Sequence, residues 1–277
     1  MKSFADHSSS PPSNAAVFRT TAWWATHFRA NAWREWQIPW QDNPALSPRE
    51  FTLISASIAE FQRGESSEAR NYLAKSSVFA ATAHEPSFHE ASVLFVGEEN
   101  EHAALLLRFM NLAGIAPRQT TFSDGIFRRI RAVSDIGWSS RVLIIAELVA
   151  QEYYPCLSGT TRHPALRRVC DKLIHDEFAH IRFQVERIAR AEADRGAGVL
   201  MLREGLQTFL TLGAALVVYR EHRGVLASLG CAGFVARILR RNHRVITAVR
   251  RLHAAQSVAE RAPLKNRMTT VGSPKAV

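Results

Sequence analysis

Two Glu-x-x-His segments, Glu99–His102 and Glu177–His180, are the residues in this sequence that are best suited to chemistry. Glutamate and histidine three positions apart lie one turn apart on one face of a helix. Each pair can therefore bind a metal ion through one carboxylate oxygen and one imidazole nitrogen. The spacing alone is a weak signal, because the chain has 11 histidines among 277 residues. The surroundings of each segment decide its interpretation.

Each segment lies in the apolar stripe of a predicted helix, and a glutamate also stands in the stripe of the helix before it. These additional glutamates are Glu65, before Glu99, and Glu147, before Glu177. Unpaired carboxylates in a helical core would be strongly disfavoured or would stay protonated, and metal cations offset that cost. The repeated pattern therefore predicts four carboxylates and two imidazoles that hold two divalent ions.

Two residues are candidates for the first glutamate ligand. In an antiparallel hairpin, ligands at one level lie equally far from the connecting turn, which we place near Pro86. Glu65 and Glu68 both lie at a level comparable with Glu99. Only Glu65 falls cleanly in the apolar stripe, so Glu65 is the predicted ligand and Glu68 is the alternative.

An acidic residue stands immediately before each motif glutamate, Glu98 in the first segment and Asp176 in the second. Each lies four residues before the histidine of its own segment. It could accept a hydrogen bond from the outer imidazole nitrogen and so fix the tautomer and the ring orientation. We therefore expect Glu98 to pair with His102 and Asp176 with His180. A solvated surface acid is the alternative at both positions.

Three other side chains could serve such a centre. Tyr154, seven residues after Glu147, could act as an electron or radical relay, although a tyrosine at the edge of the core is the simpler interpretation. Cys170 could line the apolar space beside the metals, where ordinary packing is again favoured. Gln184 could line the cavity or bind a metal-linked water, and packing is an equally good explanation.

Almost all of the chain between the termini has helical periodicity, and no alternating strand pattern occurs. One long helix is expected to begin at Ser47–Pro48 and a second to begin after Pro86 and end near Gly114. A third is expected to end before Pro155, and a fourth follows Pro164. A crossing segment over 114–136 separates the second helix from the third. Two more helices are expected at about 198–222 and 231–255.

The predicted organisation has five parts. They are a disordered tail at 1–16, a tryptophan-rich segment at 17–46, the metal-binding bundle at 47–195, a helical hairpin at 196–256 and a basic disordered tail at 257–277. We expect the five tryptophans of the second part to form a belt packed over the bundle, and a membrane-interface anchor is the alternative.

The net charge of +10 is concentrated from Arg237 onward, and the rest of the chain is nearly neutral. Because no aromatic interleaving or nucleic-acid module accompanies these arginines, we expect no nucleic acid as a partner and consider an acidic carrier protein instead. The longest apolar run, Phe209–Tyr219, is shorter than a transmembrane segment. Without a signal sequence or a CxxC pair among the three cysteines, we expect a cytoplasmic protein with reduced thiols.

These motifs resemble those of the ferritin-like di-metal carboxylate superfamily over roughly residues 47–195. The segment Gly64–Tyr72 is similar to the first metal helix of rubrerythrin, and Glu99–His102 is similar to the second, which favours Glu65 over Glu68. The resemblance implies a four-helix bundle with a long crossover between helices 2 and 3. It also implies a site for two iron ions, with manganese used by some members, that activates oxygen or peroxide.

Several differences between this sequence and known branches of the superfamily narrow the set of expected functions. The chain lacks the CxxC iron domain of rubrerythrins. It also lacks the third histidine expected of an arylamine N-oxygenase, because Leu173 and Ile174 stand there and His175 lies off the metal face. Ferritin cages use more compact subunits. We therefore expect a di-iron oxidase or monooxygenase that uses O2, a small-molecule substrate and an external electron donor.

Two other functions remain open from the sequence. One is a rubrerythrin- or ferritin-like peroxidase or ferroxidase, which would consume peroxide or ferrous iron without an organic substrate. The other is a non-enzymatic helical adaptor that uses the basic tail. A homodimer is compatible with all three functions.

Overall fold

The computed structural model describes residues 18–42, 44–65, 70–118 and 135–261. These residues form helices and connecting turns without any strand, so the all-α prediction is confirmed for them. The helices are α1 (Thr21–Ala32), α2 (Pro48–Glu65), α3 (Arg70–Thr82), α4 (Pro86–Leu112), α5 (Ile136–Thr160), α6 (Pro164–Ala191), α7 (Ala197–Glu221), a 3₁₀ turn (Val225–Ser228) and α8 (Gly230–Arg261).

Local signals fix most of the helix starts. Ser47 precedes α2 and accepts a hydrogen bond from the backbone N–H of Glu50 at 3.2 Å. Asp135 caps α5 by accepting from the backbone N–H of Trp138 at 2.8 Å. Pro86 and Pro164 stand in the first turns of α4 and α6, where the missing N–H costs no hydrogen bond. The predicted starts at these prolines therefore agree with the structure.

One helix ends later than expected, and one expected helix is described only in two parts. The helix that was expected to end before Pro155 continues through it to Thr160. Tyr154 and Leu157, on either side of the proline, are fully buried, and this packing outweighs the lost backbone hydrogen bond. The long first helix is described as α2 and α3, and residues 66–69 between them lie outside the described residues.

Several other predicted segments cannot be compared with the structure. The disordered tail at 1–16 and most of the crossing segment, at 119–134, lie outside the described residues. The basic tail at 257–277 also lies outside them, except for the backbone of the last helical residues up to Arg261. These predictions stay predictions.

Helix α5 is the central element of the described structure. It packs most extensively against α6 and also contacts α2, α3, α7, α8 and the 3₁₀ turn. Its Arg141 is fully buried and forms a bidentate ion pair with Glu192, in which Nη2 and Oε2 lie 2.7 Å apart. Because α5 is surrounded in this way, a side chain on it, such as Glu147, is held away from bulk water.

The tryptophan-rich segment packs over α4 through α1. Trp24 and Phe28 are buried against Phe183 of α6, and the Trp24 indole N–H donates to Glu186 at 2.8 Å. Trp33, by contrast, is 86% exposed. Trp24 and Phe28 therefore cover one side of the helical core, whereas Trp23 and Trp33 are exposed, so the five tryptophans do not all pack over the bundle.

Arginines of α8 pair with acids of the same chain. Arg237 and Arg241 both bond Glu152 of α5, the first at 3.5 Å and the second at 2.5 Å. Arg250 bonds Glu204 of α7 in a bidentate contact. Part of the basic C-terminal charge therefore attaches α8 to the rest of the protein.

One helix in the described part of the chain, α7, is long and apolar enough to cross a membrane by length and composition. Only 28% of its apolar window is buried inside the protein. The longest apolar run of the sequence, Phe209–Tyr219, lies within this helix, and Gln207 and Thr208 separate it from the apolar residues nearer the start of the helix. Length and composition alone are weak support for a membrane span, since core helices of soluble proteins can also have both.

Candidate metal centre

Four helices position the six predicted metal ligands. Glu65 is the last residue of α2, Glu147 lies on α5, and α4 and α6 carry the two Glu-x-x-His segments. All six side chains are buried or half-buried, and both histidines are fully buried. The helical periodicity that predicted an inward face for each residue is therefore matched by the structure.

Ligand atoms of these six residues lie within 4.8 Å of one another in three overlapping groups that could hold a metal ion. The groups are Glu99, His102 and His180; Glu65, His102 and Glu177; and Glu147, Glu177 and His180. Each histidine belongs to two groups. The cluster is therefore one continuous site rather than two separate half-sites.

Both motif glutamates lie near both histidines. Glu177 Oε1 lies 3.7 Å from His102 Nδ1, and Glu177 Oε2 lies 3.7 Å from His180 Nδ1. Glu99 Oε1 lies 2.8 Å from His180 Nδ1, across the cluster from its own helix. Carboxylates in this position could bind a metal ion together with an imidazole nitrogen.

Four inward-facing atoms have no partner with hydrogen-bond geometry. They are His102 Nδ1, His180 Nδ1, Glu99 Oε1 and Glu177 Oε2. Buried polar atoms are rarely left in this state, because the desolvation cost is not recovered. Imidazole nitrogen and carboxylate oxygen are also donors that divalent transition metals accept. The residues present therefore fit metal ions.

Burial raises the pKa of three carboxyl groups in the cluster, those of Glu65, Glu99 and Glu177. The pKa of Glu65 rises to about 8, because the carboxyl is buried and lies beside Glu99. The pKa of Glu177 rises well above its ordinary value, because burial and the neighbouring Glu147 both oppose ionisation. A nearby cation would oppose both effects.

The pKa values of His180 and Glu147 are shifted as well. Burial lowers the pKa of His180, but the adjacent carboxylates, Glu99 first, raise it by more, so the net pKa is well above the ordinary value. Burial opposes the ionisation of Glu147, but the pKa of this carboxyl is lowered overall because Glu177 and His180 lie close to it. Without cations the cluster therefore retains protons at neutral pH to limit its negative charge.

The outer nitrogens of the two histidines bond acids on opposite helices. His102 Nε2, on α4, donates to Asp176 Oδ2 on α6 at 3.1 Å. His180 Nε2, on α6, donates to Glu98 Oε2 on α4 at 2.8 Å. The expectation that each acid pairs with the histidine of its own segment is therefore wrong.

This pairing of each histidine with the acid on the other helix follows from helix geometry. Side chains four residues apart on one helix lie side by side and point in the same direction. The outer nitrogen of an inward-facing ring therefore points across to the neighbouring helix. Glu98 and Asp176 do fix the ring orientation, and they also tie α4 to α6.

Sequence reasoning missed Asn31, which joins these two acids. Its side-chain amide, on α1, donates to Glu98 Oε1 at 2.8 Å and to Asp176 Oδ1 at 3.0 Å. Both carboxylates are thereby held together from the side of the tryptophan-rich segment. No spacing or motif marks an asparagine so far from the metal segments, so only the packing of α1 reveals this role.

A further layer of charge surrounds Asp176. Lys172 Nζ donates to Asp176 Oδ2 at 2.7 Å and lies 3.1 Å from Glu101 Oε2. The neighbouring His175 Nδ1 lies 3.1 Å from Asp176 Oδ1, and Arg34 bonds the other nitrogen of that ring at 2.9 Å. The pKa of Asp176 is held far below its ordinary value, because its bonds to His102 and Lys172 outweigh its burial.

The other candidate residues lie at different places. Tyr154 is fully buried and its hydroxyl donates to Glu65 Oε1, so it contacts a predicted ligand directly. Cys170 is fully buried in the apolar core with Leu173. Gln184 is buried and accepts from the Tyr72 hydroxyl at 3.3 Å. Glu68, the alternative ligand, lies outside the described residues.

Comparison of the chain with protein-family models, with curated proteins and with solved structures finds no match.

The crossed pairs predict which histidine responds to each acid. Asp176→Asn should weaken acceptance from His102 Nε2, and Glu98→Gln should act in the same way on His180. Metal affinity should fall about 10- to 100-fold in each variant, as for other partners of metal-binding histidines. In ¹⁵N-histidine spectra, Asp176→Asn should shift the His102 ring and leave the His180 ring nearly unchanged.

Asp171→Asn is the control, because Asp171 lies on α6 but is exposed and its nearest cation is Arg168 at 3.8 Å. It should change neither ring. A shift of the His180 ring in Asp176→Asn, without one at His102, would show that the crossed arrangement is incorrect.

Metal binding should become tighter as the pH rises. The pKa of Glu65 is raised to about 8, so this carboxyl holds a proton below that pH in the metal-free protein, and the raised pKa of His180 means that its ring holds a proton to a higher pH than an ordinary histidine does. A metal ion must displace these protons, which costs affinity at low pH and not above the pKa. Titration calorimetry with Mn²⁺ at about pH 6.5 and about pH 8.5, in buffers of different ionisation enthalpy, measures both effects. Equal affinity at both values with no proton release would rule out this charge distribution.

Proposed function

We propose that this protein is a ferritin-like di-iron carboxylate oxidoreductase that activates O2 to oxidise or hydroxylate a small organic substrate. The observation that supports this most directly is the buried set of four glutamates and two histidines, with both Nδ1 atoms facing the shared carboxylates. An external electron donor completes the proposed reaction. Manganese is the alternative metal, because the same donor atoms suit it.

The order of the helices supports the ferritin-like arrangement. A lone glutamate precedes a Glu-x-x-His helix twice along the chain, first on α2 and α4 and then on α5 and α6. In di-iron bundles, two helices each supply a Glu and two supply a Glu-x-x-His motif, all projecting inward. Residues 113–135 separate the two halves, which is enough chain for the long crossover of such a bundle.

The six residues have distinct proposed roles at the metals. Glu65 and His102 would serve one ion and Glu147 and His180 the other, while Glu99 and Glu177 would lie between them. Two ferrous ions held together would supply electrons for the reduction of O2, which one ion provides less readily.

The surrounding residues hold these ligands ready. Asp176 and Glu98 accept the Nε2 protons and so keep the Nδ1 lone pairs directed inward. The Tyr154 hydroxyl orients Glu65. Phe95 packs edge-on against the His180 ring, with 4.8 Å between the centroids, and keeps water from that side. Fixed ligands in a dry pocket are what this chemistry requires from the protein.

Metal analysis of protein purified from iron-fed cells tests the proposal. About two irons per chain are expected, in line with six carboxylate and imidazole ligands. After anaerobic reduction, exposure to O2 should oxidise both irons. Glu99→Ala/Glu177→Ala should abolish iron binding while the helix content measured by circular dichroism is retained.

The matched control is Glu90→Ala/Asp171→Ala. It removes one acid from α4 and one from α6 at side chains that are 46% and 54% exposed. This variant should bind iron as the wild type does. The absence of bound metal in the wild type under several loading conditions would overturn the proposal. Turnover of peroxide or ferrous iron without an organic substrate would assign the site to the peroxidase or ferroxidase class instead.

A further inference from the structure

Helix α7 presents an apolar face to solvent. Leu202 and Phe209 on this face are 73% and 71% exposed. The full set of exposed large apolar residues on the helix is Val199, Met201, Leu202, Leu206, Phe209, Leu212, Leu216 and Val217. We call these eight residues the α7 face.

The opposite side of α7 faces the protein; it is polar over its first half, and Ala214 and Ala215 are buried in its second half. Glu204, Gln207 and Thr211 are buried there. Glu204 bonds Arg250 of α8, and Gln207 Oε1 accepts from Arg141 at 2.7 Å. A surface helix of a monomer normally buries its apolar side and exposes its polar side. On α7 the large apolar side chains are instead on the exposed side, which favours a partner for the α7 face.

The size of the α7 face matches that of a protein interface. From the exposed fractions, its side chains offer on the order of 700 Å² of apolar surface. A typical dimer interface buries about 800 Å² on each partner, and the largest apolar patch of an ordinary monomer covers about 300–600 Å². From Val199 to Val217 the face also extends about 27 Å along the helix.

The charge on α7 favours a second copy of the same chain as the partner. Between Ala197 and Tyr219, the ionised residues are Arg203 and Glu204. Arg203 pairs with Asp135 and Glu192, and Glu204 pairs with Arg250, so both are engaged within the chain. An uncharged apolar face is complementary to itself, as a two-fold symmetric interface requires.

A lipid bilayer fits this helix less well. If α7 crossed a membrane, Glu204 and Gln207 on its inner side would lie within the hydrocarbon layer. The Arg141–Glu192 ion pair, which contacts Gln207, would lie there too, and buried charges of this kind are costly in a bilayer. A helix that lies on a membrane surface instead has lysines or arginines along its polar flank. Among the described residues of α7, the cations are Arg203, which pairs within the chain, and Arg220 in the last turn. No lysine or arginine lies along the α7 face.

We infer that the protein forms a homodimer in which the α7 faces of two copies pack against each other. All six predicted metal ligands lie in one chain, so this inference does not depend on the proposed function. The dimer would remove from water the largest set of exposed apolar side chains on any one helix in the described part of the structure.

Light scattering coupled to size-exclusion chromatography of the full chain tests the dimer. The wild type should have the mass of two chains at micromolar concentration. Leu202→Glu/Phe209→Glu should have the mass of one chain, because charges on both partners would be buried against each other. Its helix content should be unchanged, since both side chains are exposed. Val78→Glu, at a position on α3 that is 66% exposed, is the matched control and should stay dimeric.

Three outcomes would overturn the inference. They are a wild type that is monomeric and does not bind lipid, a double variant that stays dimeric, and a monomeric wild type that co-sediments with phosphatidylcholine–phosphatidylglycerol vesicles in a manner abolished by the double variant. The last would assign the α7 face to lipid. If the double variant does not fold, Leu202→Gln replaces it and should weaken dimerisation about 10-fold; unchanged dimerisation would again contradict the inference.

Discussion

The burial of several carboxylates and imidazoles among helices is the constraint on which the rest of this structure depends. Ionised groups without partners are strongly disfavoured in such a place. Here Glu65 and Glu177 have raised pKa values because they are buried next to other acids, Glu99 and Glu147 respectively. Metal cations could offset this cost by pairing with the inward atoms that have no hydrogen bond.

The crossed hydrogen bonds explain how the helices maintain this arrangement. Each outer imidazole nitrogen is bonded by an acid of the other motif helix, so the orientation of a ring on α4 depends on the position of α6, and the reverse. Asn31 connects the two acids from α1. The tryptophan-rich segment therefore contributes to the centre, although none of its residues is a predicted ligand.

The sequence predicted the parts of the site that follow helical periodicity. Glu99 with His102 and Glu177 with His180 face inward because residues three apart share a helix face. The hydrogen bonds across helices were not predictable in this way, because they depend on how α1, α4 and α6 pack. The continuation of α5 through Pro155 and the exposure of the apolar side of α7 were also not predictable from local sequence, because both depend on how the helices pack together.

In the proposed centre, His102 and His180 each direct Nδ1 at one of two metal ions. Anomalous diffraction at the iron edge from crystals of the iron-loaded protein tests it most directly. We expect two anomalous-difference peaks about 3.5–4 Å apart, one beside Nδ1 of each histidine, with Glu99 and Glu177 between them. A single peak, no peak, or coordination through Nε2 with the bonds to Asp176 and Glu98 broken would contradict it.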